Sequence, residues 1–110
     1  MEDCIFCKIA NKEIATNLLY EDEETVAFSD LNPQAPVHIL VIPKKHYASL
    51  NDLEDKNIMA SLLIAVKNVT KKLDIQEYRT VINTGKQAGQ EVFHIHLHVL
   101  AGRPLKWPPG

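Results

Sequence analysis

The stretch "EVFHIHLHVLAG", residues 91–102, sets His94, His96 and His98 at alternate positions, with Ile95, Leu97 and Val99 between them. Side chains in a strand alternate between faces, so this spacing predicts a strand with imidazoles on one side and aliphatic groups on the other. The aliphatic face must meet a helix, which leaves the three rings on the opposite, accessible face. A solvent-facing strand normally mixes Thr, Lys, Glu and Arg; this one repeats a single titratable residue, taking three of the five histidines in the chain. Same-face neighbours along a strand lie about 7 Å apart, so one small ligand can touch two rings. A neutral imidazole serves as nucleophile, base or metal ligand, and a protonated one donates to anions.

Working outward, the preceding "GKQAGQ" (85–90) is a loop in which Gly85 and Gly89 let the backbone approach a ligand and cradle a phosphate oxygen. Before it, "YRTVINTG" (78–85) reads as a strand. Residues 51–73 place Ile58, Leu62, Val66, Val69 and Leu73 at three- and four-residue steps, which predicts one long amphipathic helix. "VHILVIP" (37–43) is β-branched and almost wholly apolar, a central strand ended by Pro43. "NLLYEDEETVAFSD" (17–30) reads as two strands joined by an acidic turn, and "CIFCKIA" (4–10) as a short helix that Asp3 can cap. Strands outnumber helices and the connections are short. The expected class is α+β, with a mainly antiparallel five-stranded sheet, one long helix and one short helix.

A chain of 110 residues suits a single domain spanning 1–110. Hydrophobic residues at 45% and charged residues at 24% are ordinary for a globular protein, and a net charge of -2 gives no reason to expect a nucleic-acid partner. No apolar run reaches the roughly 20 residues that span a bilayer. The opening "MEDCIFCKIANKEI" lacks the basic start and apolar core of a signal peptide, so a cytoplasmic location is expected. There the two cysteines, spaced Cys4-Ile5-Phe6-Cys7, suit a metal or a redox pair better than a structural disulfide.

His94-Ile95-His96-Leu97-His98-Val99-Leu100 resembles the His-φ-His-φ-His-φ-φ signature of the histidine-triad (HIT) family. "PQAPVHILVIPKKH" (33–46), "GQEVFHIHLHVLAGR" (89–103) and "WPPG" (107–110) resemble its Hint branch, the histidine-triad nucleotide-binding proteins, and the likeness runs nearly end to end. The resemblance implies a HIT-like fold with sheets joined across a homodimer. It also implies a hydrolase of purine nucleoside phosphoramidates, AMP linked through nitrogen to an amine. On that resemblance His96 attacks the α-phosphorus to give a nucleotidyl-histidine, which water then cleaves. His98 and the loop around Gly89 and Gln90, with Val92 beside it, stabilise the phosphoryl oxygens, and His38 supports the nucleophile. Asn83 lies near phosphate and ribose, Asp30 accepts from the ribose hydroxyls, and Ile5, Phe6, Ile9, Phe28 and Leu31 wall the base pocket. Each of these apolar residues also reads as ordinary core.

Two departures stand out. Glu91 occupies a position that is serine in many eukaryotic Hint sequences, where it contacts the leaving group. The Cys4–Cys7 pair can supply half of a zinc site, or stand as two reduced structural cysteines in the short helix. With His38, His96 and His98 committed to chemistry, the resemblance points to His46 and His94 as the other half, giving a structural zinc on Cys4, Cys7, His46 and His94. Trp107 in the tail "RPLKWPPG" (103–110) resembles the Hint tail that reaches toward the partner's active site. Two other functions stay open: a nucleotide-binding regulatory module acting through protein partners, and a metal-loading histidine strand. Binding alone has no need of His96, and metal loading leaves Asp30 and the loop unexplained.

Overall fold

The computed structural model describes residues 3–110. Its elements run α1 (Ile5–Ala10), β1 (Leu18–Glu21), β2 (Thr25–Ser29), β3 (Val37–Pro43), α2 (Lys56–Lys72), β4 (Arg79–Ile82) and β5 (Leu97–Ala101). The five strands form one sheet in the order β1-β2-β3-β5-β4, with every neighbouring pair antiparallel. This is the expected α+β architecture.

Alternation sorts each strand between two cores. Ala27, Ile39, Val41, Leu97 and Val99 pack with Ile58, Leu62, Ala65, Val66 and Val69 of α2. Their chain neighbours Val26, Phe28, Leu40 and Ile42 pack on the other face with Phe6, Ile9 and Ala10 of α1. Because helices cover both faces, β3 is apolar apart from His38 although its pairing is antiparallel. The same parity puts His38, two residues before Leu40, and His98, between Leu97 and Val99, on the α1 side.

Three expected boundaries move. The long helix starts at Lys56 rather than residue 51: a separate 3-10 turn, Leu50–Asp52, comes first, and Asp55 caps α2 by accepting from the N–H groups of Asn57 and Ile58. The short helix is capped by Cys4, whose sulfur accepts from the Cys7 N–H, and not by Asp3. The histidine strand begins only at Leu97, so His94 and His96 precede it. Ladder pairing of β3 with β5 stops at Val41↔Leu97. The Lys44 N–H turns toward Glu24, so the next position on the β5 side falls to Pro43, which has no N–H to offer. The Ile95 N–H bonds the Tyr47 carbonyl at 2.7 Å instead. Ile95, Leu97 and Val99 still face α2 as expected, but the histidine side is not openly accessible. His94 is 0% and His96 7% exposed.

Substituting the cap by Asp55→Ala is expected to cost about 1 kcal/mol, and Leu62→Ala, deep under the sheet, about 2–5 kcal/mol. Exposed Lys67→Ala is expected to stay within about 0.5 kcal/mol. Urea denaturation midpoints at constant m-value check this order.

Candidate functional site

His38 and His98 come from adjacent strands in the register His38↔Leu100 and Leu40↔His98, a diagonal pair on one face. Their rings meet through His38 Nε2 and His98 Nδ1 at 2.8 Å. Backbone chemistry decides which nitrogen carries each proton. The Gln34 N–H donates to His38 Nδ1 at 3.0 Å, so the proton of a neutral His38 sits on Nε2 and is donated to His98 Nδ1. His98 then carries its own proton on Nε2. His96 Nδ1 lies 2.9 Å from the His94 carbonyl oxygen, which can only accept, so His96 is protonated at Nδ1 and its Nε2 lone pair is bare. The Asp30 carboxylate adds an oxygen 3.4 Å from His38 Nε2. Burial, followed by the neighbouring His96 and His38, pulls His98 down to about 4 against the pull of Asp30. Burial likewise lowers His38, again opposed by Asp30. Both rings are therefore neutral near pH 7.

The histidines open into a cleft of about 780 Å³. Its lining includes Ile5, Phe6, Ile9, Phe28, Asp30, Leu31, His38, Gly89, Glu91, Val92, His96 and His98, so most residues singled out in the sequence meet there. Phe6 stands edge-on to the His96 ring at 5.2 Å and to Phe28 at 5.6 Å between centroids. Ile5 is 49% and Leu31 101% exposed, so these two form an open lip and not core. Phe6, Ile9 and Phe28 serve as core and pocket wall together.

Two expected contacts differ. The Gln90 side chain is 2% exposed and is consumed by the protein itself. Its oxygen accepts from the Gly85 N–H at 2.9 Å, and its nitrogen donates to the Ala48 and Val92 carbonyls at 2.7 and 3.1 Å. Gln90 thus shapes the loop, and its side chain is not free for substrate. Asn83 is absent from the cleft lining and instead reaches the Gly89 carbonyl at 3.5 Å. A Cβ on Gly89 would stand 3.5 Å from the Asn83 amide, at a φ of +104° that favours glycine.

The sequence reading missed the segment Ile14, Ala15, Thr16 and Asn17, which also lines the cleft. It also missed Gln34 and Arg103. The Arg103 guanidinium donates to the Gln34 carbonyl at 3.2 and 2.9 Å, which steadies the backbone whose N–H fixes the His38 tautomer. Gly102 permits this approach: a Cβ there would lie 2.9 Å from Pro36. No sequence signal marks Gln34, because a backbone N–H does the bonding. A second, shallower groove of about 820 Å³ beside β4 and residues 102–105 contains none of the candidate site residues.

Cys4, Cys7, His46 and His94 converge behind the cleft, with one donor atom from each within 4.8 Å of the others. His94 Nε2 faces the Pro43 carbonyl at 2.8 Å and so carries the proton, leaving Nδ1 bare. That Nδ1 lies 3.4 Å from each cysteine sulfur and 3.2 Å from His46 Nδ1, and Cys7 Sγ is 3.4 Å from His46 Nδ1. Tetrahedral zinc with bonds of about 2.3 Å to sulfur and 2.0–2.1 Å to nitrogen implies edges of about 3.6 Å for S···N and 3.3 Å for N···N. The cluster fits that geometry. Burial, with the Cys4 thiol beside it, pushes the Cys7 thiol up to about 11, so a thiolate here calls for a cation.

The HIT domain family model matches residues 11–105. An uncharacterized HIT-like protein of Synechocystis is 50% identical, with 99% of this chain and 98% of that protein aligned. The crystal structure of a HIT family hydrolase from Legionella pneumophila superposes with a TM-score of 0.93 at 47% identity, covering 98% of this chain and all of that one. A histidine triad nucleotide-binding protein from Candida albicans gives 0.82 at 37% identity, over 96% of this chain and 83% of that one. A part-buried pair of imidazoles with fixed tautomers, a family match across most of the chain and relatives aligned nearly end to end agree: this chain belongs to the HIT domain family.

Proposed function

We propose that the protein is a nucleotidyl hydrolase that releases AMP from purine nucleoside phosphoramidates through a nucleotidyl-histidine on His96. The observation that carries this reading is the 2.9 Å contact of His96 Nδ1 with the His94 carbonyl, which commits Nδ1 and leaves Nε2 as the nucleophile. Nε2 attacks the α-phosphorus, and the phosphorus–nitrogen bond breaks as its nitrogen takes a proton from water to leave as an amine. Water then cleaves the new phosphorus–Nε2 bond, giving AMP and restoring His96. His98 presents Nε2–H to a phosphoryl oxygen, and His38 holds it in that tautomer. Asp30 would take the ribose hydroxyls, and Phe6, Phe28 and Leu31 the base. The likeness to the Legionella HIT family hydrolase and to the Candida histidine triad nucleotide-binding protein supports both halves of the reading.

The same proposal includes a zinc ion on Cys4, Cys7, His46 and His94. A closed four-ligand site leaves no position for an activated water, so its contribution is structural. It would tie α1, which carries Phe6, to the segment that carries His96. A homodimer completes the proposal, supported by Trp107, Leu63 and Ile64 at 81%, 56% and 51% exposed and by the free edge of β4.

His96→Ala is expected to lower phosphoramidase kcat by at least about a thousandfold while leaving AMP affinity by calorimetry within a few-fold. Loss of both together would instead favour a binding or structural role for His96. Metal analysis is expected to find one zinc per chain, and Cys4→Ser with Cys7→Ser to lose it together with several degrees of melting temperature. Unchanged metal content in that variant would refute the ligand set. An unfolded histidine titrates near 6.5, whereas His98 stays neutral down to about 4 in the folded chain. The unfolded state binds more protons between these values, so stability is expected to be full above about pH 6.5 and to fall as pH drops toward 4. His98→Asn should make that acid limb shallower in denaturation midpoints measured across the range.

A further inference from the structure

The cleft offers a phosphate no permanent cation. Among the described residues no lysine or arginine lines it; its ionisable groups are Asp30, Glu91 and the three imidazoles. Phosphate sites ordinarily answer the anion with arginine or lysine. Here the donors are imidazoles, of which His38 and His98 are held neutral by burial, and two carboxylates stand beside them. A ligand of low net negative charge suits such a site far better than a terminal phosphate dianion does.

The two carboxylates are not equivalent. Asp30 is partly committed: one oxygen accepts from the Asn32 N–H at 2.7 Å, and the other lies 3.4 Å from His38 Nε2. Glu91 is exposed and forms no ion pair among the described residues. Its backbone is nonetheless held, because Gln90 before it is anchored by three hydrogen bonds and Val92 after it packs on the α1-side core. The apolar walls and Asp30 suit a nucleoside, and His96 and His98 flank the phosphorus. Glu91 lines the same cleft as His96 and His98, so an amine leaving the phosphorus has this carboxylate among its neighbours.

We propose that Glu91 selects the leaving group by charge, so that the preferred substrates are nucleoside phosphoramidates whose amine carries a second, cationic group. The inference rests on the hydrolase reading. With one negative charge on the phosphoramidate and one positive charge on the amine's far end, such a substrate is net neutral and matches the vacant carboxylate. A leaving group that carries its own carboxylate meets repulsion from Glu91 instead.

Three probes of matched length test this: AMP joined through nitrogen to 1,4-diaminobutane, to n-butylamine and to 4-aminobutanoate. The expected kcat/KM order is cationic, neutral, anionic, with at least about threefold per step at low ionic strength and a smaller spread at about 0.5 M salt. Glu91→Gln should compress the spread, and Glu91→Lys should reverse the order. Each ratio is taken within one protein preparation, so a partly folded variant lowers all three rates alike and leaves the ratio readable. Equal rates on all three probes, or an order that survives in Glu91→Gln, would overturn selection by Glu91 while leaving the hydrolase reading intact. Hydrolysis of none would overturn that reading and this inference with it.

Discussion

His94 is buried completely and makes a different bond with each end of its structure. Its Nε2–H is committed to the Pro43 carbonyl, which turns Nδ1 toward the sulfurs of Cys4 and Cys7, while its own carbonyl receives the Nδ1–H of His96. One residue thus ties the end of β3, the N-terminal helix and the candidate nucleophile. If its ring turned over, the cluster would lose a donor and the Pro43 carbonyl a partner, with none of that polarity reaching water. The break in the β5 ladder at Pro43 makes the arrangement possible, because a regular strand through residues 94–98 would direct His94 and His96 alike.

The second constraint is the covering of both sheet faces. The long helix α2 fills one side, and the short α1 only part of the other, so the sheet is dry beneath Phe6 and Ile9 and open beside them. The cleft occupies that uncovered part. His38 and His98 are buried enough to stay neutral, yet His98 still borders the space a ligand would fill. Neutrality also fixes direction: Arg103 holds Gln34, Gln34 donates to His38, and His38 donates to His98. The proton of His98 is thus aimed by a series of bonds that begins outside the cleft at Arg103.

Much of this was legible in the sequence. The 3.6-residue spacing from Ile58 to Val69 announced α2, and the alternation from Ile95 to Val99 announced which side chains meet it. The convergence of Cys4 and Cys7 with His46 and His94 was expected from the resemblance, and the donor distances agree with it. Less legible was everything decided by backbone groups. The start of α2 was misplaced because Asp55 caps it behind a buried Leu53 that continues the apolar pattern. The histidine strand was drawn too long because a proline on the neighbouring strand ends the ladder, a fact that belongs to pairing and not to local composition. Gln90 looked like a ligand-loop residue, yet its amide is spent on carbonyls that only the folded chain brings near. Gln34 gave no signal, since its contribution passes through main-chain atoms, and neither did Arg103, whose guanidinium meets the Gln34 carbonyl only in the folded chain.

The central claim is that the bare Nε2 of His96 becomes bonded to phosphorus. Intact-protein mass spectrometry tests it most directly, after brief mixing with an adenosine phosphoramidate and quenching in mild base, which preserves the acid-labile phosphorus–nitrogen bond. The account predicts an adenylyl mass on the wild-type chain and none on His96→Ala. An adduct of equal abundance on both proteins would contradict it, because the nucleophile would then lie elsewhere.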